Sequence, residues 1–315
     1  MSAADRGAKL DRLWGDAQAW TANGLQWQHL PEIRARIRRR ITGDADLEPL
    51  DWFFAHARRA AGAPLRRVLV LGCGHGGVER VVIEQGWASA VVAMDFSPRV
   101  VAEAGEKAAA MPAIRHVRAD LDHLPVGEAP FEPGTYDAVI GIGSVHHCAR
   151  LPELYAALQR LLVPGGWLYL DEYVGPSRFQ FPEAQLRQIR RFVSLLPARM
   201  RTTFNGAVKS VVRAPTVEEV IAFDPSEAAC SAAILPLLPA HFEVVRLRPY
   251  GGALLHLLLA DIAQHFLEPG PQHTLRGLIE AEEELGRLGQ LSDDFACVIA
   301  RARTPRSVPP NVTGS

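Results

Sequence analysis

The 315-residue sequence is poor in cysteine and carries almost no net charge. Its four cysteines (Cys73, Cys148, Cys230 and Cys297) are far apart and include no Cys-x-x-Cys pair, so they form no zinc signature. This usage is typical of the reducing cytosol, and we expect a cytoplasmic protein. A net charge of −1 argues against a polycation that coats nucleic acid, and we expect no nucleic-acid partner.

Long hydrophobic runs are also missing. The N-terminal segment lacks the apolar stretch of a signal peptide, and no run of about 18 or more uninterrupted apolar residues occurs. We therefore expect no membrane insertion. The most apolar stretch, residues 253–263, is shorter and contains His256 and Asp261, so we interpret it as a buried amphipathic helix.

What the sequence does contain is an alternation of short apolar runs and amphipathic segments. Five runs rich in β-formers occur at residues 67–71, 88–95, 114–119, 136–142 and 167–173, and two more at 242–247 and 295–301. Strands that alternate with helices predict parallel pairing through right-handed crossovers. The nearly continuous apolar character of the strands indicates that helices cover both faces of the sheet.

The predicted fold is α/β, with a seven-stranded, mostly parallel sheet whose last strand is antiparallel. Helices flank this sheet, a helical cap precedes it, and a helical insertion follows the fifth strand. We expect the insertion to form a lid over the substrate. The predicted boundaries are 1–63 for the cap, 64–175 for the alternating core, 176–240 for the insertion, 241–303 for the completion of the sheet and 304–315 for a disordered tail.

The turn after the first strand is rich in glycine. Gly72, Gly74, Gly76 and Gly77 follow the apolar run and precede a predicted helix. Glycine tolerates positive φ and lets a ligand approach the backbone closely, so this turn is a candidate nucleoside-binding loop. Gly72, Gly74 and Gly77 also satisfy the dinucleotide pattern Gly-x-Gly-x-x-Gly, so the loop alone does not separate NAD from other nucleosides, or from a tight turn without a ligand.

Acidic residues follow the next two strands. Asp95 ends the second strand, roughly 20 residues after the loop, where a carboxylate can accept hydrogen bonds from both ribose hydroxyls. Phe96 comes next and is placed to lie against adenine. Asp120, just past the third strand, is placed to meet the adenine amino group.

Two further motifs follow the fourth strand and precede the fifth: Gly143-Ser-Val-His-His147 and Pro164-Gly-Gly166. In this order and spacing, across residues 65–172, the motifs resemble those of class I, Rossmann-like S-adenosylmethionine-dependent methyltransferases, and they match dehydrogenases less well. The resemblance extends to a bacterial subgroup that acts on small molecules or saccharides. It implies S-adenosylmethionine as the cofactor and S-adenosylhomocysteine as the product. The cofactor contacts it implies are Gly72, Cys73, Gly74, Gly76, Asp95, Phe96, Ser97, Asp120, Leu121, Gly143 and Ser144.

Methyl transfer is an in-line displacement, and an alcohol acceptor must also lose a proton. His146 and Glu172 follow or end neighbouring strands and are the predicted catalytic residues, one of them acting as the general base. No metal is expected, because no spacing among the histidines and acids of this region requires one. The predicted substrate contacts are His147, Tyr173, Arg178, Arg190, Arg191 and His256.

The predicted insertion is strongly basic. Eight arginine and lysine residues lie between positions 177 and 215, against a single acid, Glu183. This charge indicates either a solvated helix face or an anionic acceptor, whose phosphate or carboxylate arginine binds bidentately. We expect O-methylation of an anionic small molecule or saccharide in bacterial biosynthesis. The alternatives are C- or N-methylation of a natural-product precursor, including a diphosphate-bearing isoprenoid, and a catalytically inactive cofactor-binding protein.

Overall fold

The computed structural model describes residues 25–303. The predicted disordered tail and the first 24 residues of the predicted cap lie outside the described residues. Within the described range, no helix combines the length and the apolar character that crossing a membrane requires.

The described chain starts with two cap helices and then alternates strands with helices. The cap helices are α1 (Pro31–Thr42) and α2 (Pro49–Ala61). The alternating part contains β1 (Leu65–Leu71), α3 (Val78–Glu84), β2 (Ala88–Asp95), α4 (Pro98–Lys107), β3 (Ile114–Arg118), β4 (Tyr136–Ile142), α5 (Leu151–Leu161) and β5 (Leu162–Tyr173). The remainder contains α6 (Glu183–Leu195), α7 (Val217–Phe223), α8 (Ile234–His241), β6 (Phe242–Gly251), α9 (Leu255–Leu259), α10 (Gln272–Arg287) and β7 (Phe295–Ala302).

The seven strands form one sheet in the order β3-β2-β1-β4-β5-β7-β6. Neighbouring strands from β3 to β5 are parallel, whereas β7 runs antiparallel to both β5 and β6. The predicted seven-stranded sheet with an antiparallel last strand is therefore confirmed. Strand order reverses between β1 and β4, and the crevice outside the carboxyl ends of strands at such a point is where open α/β sheets bind ligands.

Two apolar clusters cover the two faces of the sheet. On one face Phe53 of α2 packs on Tyr169 of β5, with ring centroids 5.0 Å apart, and Ile189 of α6 joins the same cluster. On the other face the Tyr155 hydroxyl of α5 donates to the carbonyl of Ile234 in α8. Helix α8 thus packs in the layer beside the sheet, although the predicted insertion includes it. The role of the insertion as a lid stays a prediction.

The apolar stretch at residues 253–263 forms only the short helix α9. Ala260, which follows the helix, has a non-helical backbone with ψ of +131°, and Asp261 after it adopts a left-handed conformation with φ of +67°. Lys209, from the insertion, extends its Nζ to the carbonyls of Leu257 at 2.8 Å and Ala260 at 2.7 Å. A distant lysine therefore satisfies the carbonyls that a longer helix would have bonded internally.

Candidate active site

The loop between β1 and α3 is held in a left-handed backbone conformation. Gly72, Gly74 and Gly76 have φ values of +61°, +52° and +81°. A Cβ on Gly72 would lie 2.5 Å from Cβ of Ser144, so glycine is needed for the loop to pack against the turn after β4. A Cβ on Gly74 would meet no atom of the described residues within 4 Å. The backbone at Gly74 is therefore open to close approach by a ligand.

Asp95 ends β2 beside this loop. Its carboxylate accepts hydrogen bonds from the backbone N–H groups of Gly74 at 3.1 Å and Ser97 at 3.0 Å. Burial raises the pKa of Asp95, and these backbone hydrogen bonds oppose the shift. Ser97 caps the first turn of α4, and the buried Cys73 donates its N–H to a carbonyl of β2. The structure thus places the predicted ribose-binding acid in contact with the glycine loop.

Phe96 and the turn after β3 continue along the same edge of the sheet. The guanidinium of Arg118 lies 5.6 Å from the centre of the Phe96 ring. Asp120 caps the short turn Leu121–His123 by accepting a hydrogen bond from the N–H of Asp122 at 3.0 Å. Asp122 is buried and accepts from two backbone N–H groups of the loop before α5, so this second acid anchors the loop.

Gly143 and Ser144 form the turn after β4. Gly143 has φ of +58°, and a Cβ there would meet nothing within 4 Å in the described chain. The Ser144 Oγ is buried and has no hydrogen-bond partner within residues 25–303. A buried hydroxyl without a partner, beside two open glycine positions and Asp95, fits a polar nucleoside cofactor in this crevice.

Glu172, near the end of β5, is buried and fixes this turn. Its Oε1 accepts hydrogen bonds from the N–H groups of Ser144 at 2.9 Å and Val145 at 2.8 Å. Its Oε2 lies 2.8 Å from Nδ1 of His146. A carboxylate only accepts, so Nδ1 carries the hydrogen and the lone pair of the neutral ring lies on Nε2. The two predicted catalytic residues are therefore in direct contact.

Three residues between α7 and α8 lie beside His146 and His147. Oε1 of Glu227 lies 3.6 Å from Nε2 of His146. Nδ1 of His147 lies 3.1 Å from Oγ of Ser226, whose hydroxyl lies 2.6 Å from Oδ1 of Asp224. The sequence alone does not assign these three residues to the site. Their one signal is an acidic Asp-Pro-Ser-Glu stretch that follows the basic part of the insertion.

Buried acids set the protonation of the two histidines. Burial lowers the pKa of His146, but its hydrogen bond with Glu172 and the negative charges of Glu172, Glu227 and Asp224 outweigh this and raise the pKa above 6.5. Burial and the adjacent His146 lower the pKa of His147 well below 6.5. Burial raises the pKa of Glu227. The pKa values of the two rings, whose centroids lie 4.3 Å apart, therefore shift in opposite directions.

The predicted substrate-binding arginines lie in different surroundings. Arg178 donates two hydrogen bonds of 2.9 Å to carbonyls of the loop at residues 225–227, and so holds the segment that carries Glu227. Arg190 and Arg191 lie on the exposed face of α6. The Arg190 guanidinium binds a backbone carbonyl and a carboxylate of the insertion. Of the three arginines, Arg178 is therefore the one that contacts the histidine-bearing cluster.

Tyr173 and His256 extend the site as an aromatic wall. The Tyr173 ring lies 6.4 Å from that of His146 and 5.9 Å from that of His256, centroid to centroid. Phe179 and Phe295 pack against both Tyr173 and His256. Burial lowers the pKa of His256 to about 4, and its Nδ1 has no hydrogen-bond partner in the part of the chain that the structure describes. The wall is therefore neutral at physiological pH.

The central part of the chain matches a known protein family. Residues 68–166 match a family model described as "Methyltransferase domain". Phthiotriol/phenolphthiotriol dimycocerosates methyltransferase of Mycobacterium leprae (strain TN) is 29% identical over 39% of this chain and 46% of that protein. Trans-aconitate 2-methyltransferase of Mycobacterium sp. (strain KMS) is 35% identical over 49% of this chain and 54% of that protein. The chain thus matches about half the length of these relatives.

A solved structure of geranyl diphosphate methyltransferase in complex with GPP and sinefungin also aligns with the fold. The alignment covers 84% of this chain and 81% of that chain, with 16% sequence identity and a TM-score of 0.49. The family match at residues 68–166 covers the glycine loop, Asp95 and the turn after β4, and it ends before Glu172. Glu172 and Glu227 therefore lie beyond the matched segment.

Proposed function

The chain carries a class I, Rossmann-like methyltransferase domain that uses S-adenosylmethionine, and from this premise we propose that it methylates an oxygen atom of a small-molecule or saccharide acceptor. The observation that carries the proposal is the contact between His146 and Glu172 at the edge of the cofactor crevice. When bound, the cofactor supplies an electrophilic methyl group on its sulfonium.

The glycine loop and the acids beside it are proposed to hold the cofactor. Gly74 leaves its backbone open, and Asp95 offers a carboxylate at the carboxyl end of β2. Asp120 follows β3 at the same edge, in the position assigned to adenine. These residues bind and orient, which is most of what an already reactive methyl donor requires of the protein.

On the acceptor side, His146 is the residue proposed to meet the acceptor hydroxyl. Both oxygens of Glu172 are engaged with N–H groups, so Glu172 holds the imidazole in place and does not itself reach the acceptor. Nδ1 of His146 faces Glu172, which leaves Nε2 as the atom that can take the proton. A positioned base of this kind contributes a factor of about 10² to 10⁴ in rate.

An anionic acceptor is the finer part of the proposal. Its support is the positive charge of the insertion. Arg178 already donates two hydrogen bonds to backbone carbonyls. The acceptor's anionic group would therefore be bound by Arg190 and Arg191, on the exposed face of α6.

Methylation at nitrogen is a second candidate, with one observation in its favour. Glu172, Asp224 and Glu227 place three carboxylates around the histidines, with side-chain exposures of 0%, 0% and 12%. Buried carboxylates favour binding of an amine acceptor as its ammonium form, and one of them would take its proton so that the nitrogen lone pair can attack the methyl group.

The first experiment is a thermal-shift assay of the purified chain with S-adenosylmethionine, S-adenosylhomocysteine or NAD. We expect stabilisation by the two sulfur compounds, by roughly 2.7 kcal/mol at a concentration of 100 times Kd. Stabilisation by NAD alone would contradict the cofactor assignment.

A second experiment transfers a radiolabelled methyl group to panels of sugars, sugar phosphates, hydroxy acids and amines. Labelling of hydroxyl compounds supports the proposal. Labelling confined to amines would replace it with the nitrogen-directed alternative.

A further inference from the structure

We infer that His146, His147 and Glu227 form a binding site for a divalent cation of the Zn²⁺ class. One donor atom of each residue lies within 4.8 Å of the donor atoms of the other two. Two imidazoles and one carboxylate form a ligand set that catalytic zinc sites use. The sequence indicated no metal because Glu227 lies far along the chain from the histidines, so no ligand spacing is visible.

The distances suit a small tetrahedral ion. Zinc bonds of 2.0–2.2 Å place neighbouring ligand atoms about 3.4 Å apart. Nε2 of His146 and Oε1 of Glu227 are already separated by 3.6 Å. The imidazoles of His146 and His147 lie side by side, tilted by 36°. Closing the three donors onto one ion therefore requires side-chain adjustments and no change in the fold.

Hydrogen bonds orient both imidazoles in the way metal-ligand histidines are oriented. Nδ1 of His146 donates to Glu172, which backbone N–H groups hold in turn. The Ser226 hydroxyl gives its hydrogen to Asp224 and so accepts from Nδ1 of His147. In the neutral form each ring then has its lone pair on Nε2. Outer partners of this kind fix the tautomer and raise the affinity of the ligand nitrogen for metal.

The buried charge also favours a divalent ion. Glu172, Asp224 and Glu227 lie around the two histidines, and the positive charge of Arg178 acts on both Glu227 and His147. Several buried carboxylates are costly together unless they are paired or bind metal. A protonated His146 compensates one negative charge, whereas a bound divalent cation compensates two.

A second cluster of metal-capable side chains serves as an internal reference. Cys73, Glu79 and His116 lie together near the glycine loop. Nε2 of His116 is 2.7 Å from Oε1 of Glu79, and burial raises the pKa of the Cys73 thiol. A protonated thiol is a poor ligand, and Glu79 already has a partner in His116. We therefore place the cation at Glu227 and not at Glu79.

The chemical role of this cation rests on the proposed function. Three protein ligands leave one position open on a tetrahedral ion, and an acceptor hydroxyl can occupy it. The ion lowers the pKa of that hydroxyl, whose proton passes to solvent water. The new O–C bond forms as the C–S bond of the methyl donor breaks. In the metal-loaded protein, Nε2 of His146 binds the ion and does not take the proton.

Isothermal titration of the full chain with ZnCl₂ tests the site without any acceptor. The protein is first stripped with EDTA and dialysed. We expect one Zn²⁺ per chain, and a loss of affinity of about tenfold or more in Glu227→Gln. Glu172→Gln changes an outer partner and should lose about 10- to 100-fold. His116→Gln is the matched control from the second cluster and should bind like the wild type. Circular dichroism confirms that each variant is folded.

Two results would overturn the inference: wild-type protein that binds no Zn²⁺, or a Zn²⁺ affinity that is unchanged in Glu227→Gln. S-Adenosylhomocysteine binding is measured on the same samples. If it is retained while Zn²⁺ fails to bind, the cation site alone is rejected. If the wild type binds Zn²⁺ but no S-adenosylhomocysteine, the proposed function is rejected and the cation site stands.

Discussion

The cofactor edge and the acceptor face of this site are built in different ways. The cofactor edge consists of short local motifs, the loop at residues 72–77 and Asp95, and acts largely through backbone conformation. The acceptor face joins β4, β5 and the insertion through the side chains of His146, Glu172 and Glu227.

The family match follows the same division. Residues 68–166 include the whole cofactor edge and the histidines, and exclude Glu172 and the insertion. The matched segment therefore contains the proposed cofactor residues and two of the proposed acceptor residues, His146 and His147. Glu172, Glu227 and the basic insertion lie outside it, so their proposed roles are argued from this chain's own side chains.

The largest expected effect is a loss of methyl transfer when the acceptor face is changed while the cofactor edge stays intact. We predict that His146→Gln lowers methyl transfer by about 10² to 10⁴, because it removes the Nε2 atom that is proposed to take the acceptor's proton or, in the metal-loaded protein, to bind the cation. S-Adenosylhomocysteine affinity should change by less than about twofold, since His146 belongs to the acceptor face. Steady-state kinetics and calorimetry measure the two quantities, with the exposed His273→Gln as the matched control. A parallel loss of both would show that the regions are not separable.

The next effect concerns the backbone of the cofactor edge. In Gly72→Ala the new Cβ would lie 2.5 Å from Ser144, at a φ of +61°, so we predict a loss of about 1–3 kcal/mol in unfolding free energy and weaker S-adenosylhomocysteine binding. Gly77→Ala is the control, because its φ is −91° and a Cβ there meets no described atom within 4 Å. Equal behaviour of the two variants in denaturation and binding would refute the packing argument.

A smaller effect is a pH dependence on the acceptor side. Asp294 carries the carbonyl that accepts from the N–H groups of Val174 and Gly175, where the insertion begins, and its side chain accepts from Gln185. Burial raises the pKa of Asp294 to about 7 from 3.8. The stability contribution is therefore complete below pH 3.8 and is lost as pH rises through 7, because the unfolded chain releases the proton first.

Asp294→Asn removes this titration. We predict that the variant gains stability relative to the wild type as pH increases from 4 to 8, by a few degrees in thermal midpoint. Thermal melts at several pH values measure the difference. A difference that stays constant across this range would show that folding does not raise the pKa of Asp294.

The smallest effect is expected on the exposed face of α6. The double substitution Arg190→Ala and Arg191→Ala should change the unfolding free energy by less than about 1 kcal/mol, because exposed ion pairs contribute little. The apparent affinity for the acceptor tests the proposal that the acceptor is anionic. A clear loss supports an anionic acceptor, and an unchanged value rejects it.

The fold and the contact between the glycine loop and Asp95 were largely predictable because their signals are local. The apolar runs, the glycine loop and Asp95 lie within residues 67–95, and alternation alone predicts parallel strands whose carboxyl ends meet. The pairing of His146 with Glu172 was partly predictable, since both follow or end neighbouring strands. The short length of α9 was not, because the chain leaves the helical conformation at Ala260 and the distant Lys209 bonds the carbonyls at the end of the helix.

The sequence by itself determined the α/β class, the order of the strands along the chain and the position of Asp95 beside the glycine loop, because period and spacing encode contacts between near neighbours. Only the tertiary structure decided that Asp224, Ser226 and Glu227 stand against the histidines, and that α8 belongs to the sheet layer. Contacts between distant segments depend on how the whole chain packs. A local sequence pattern in the insertion therefore does not predict which strand end the insertion contacts.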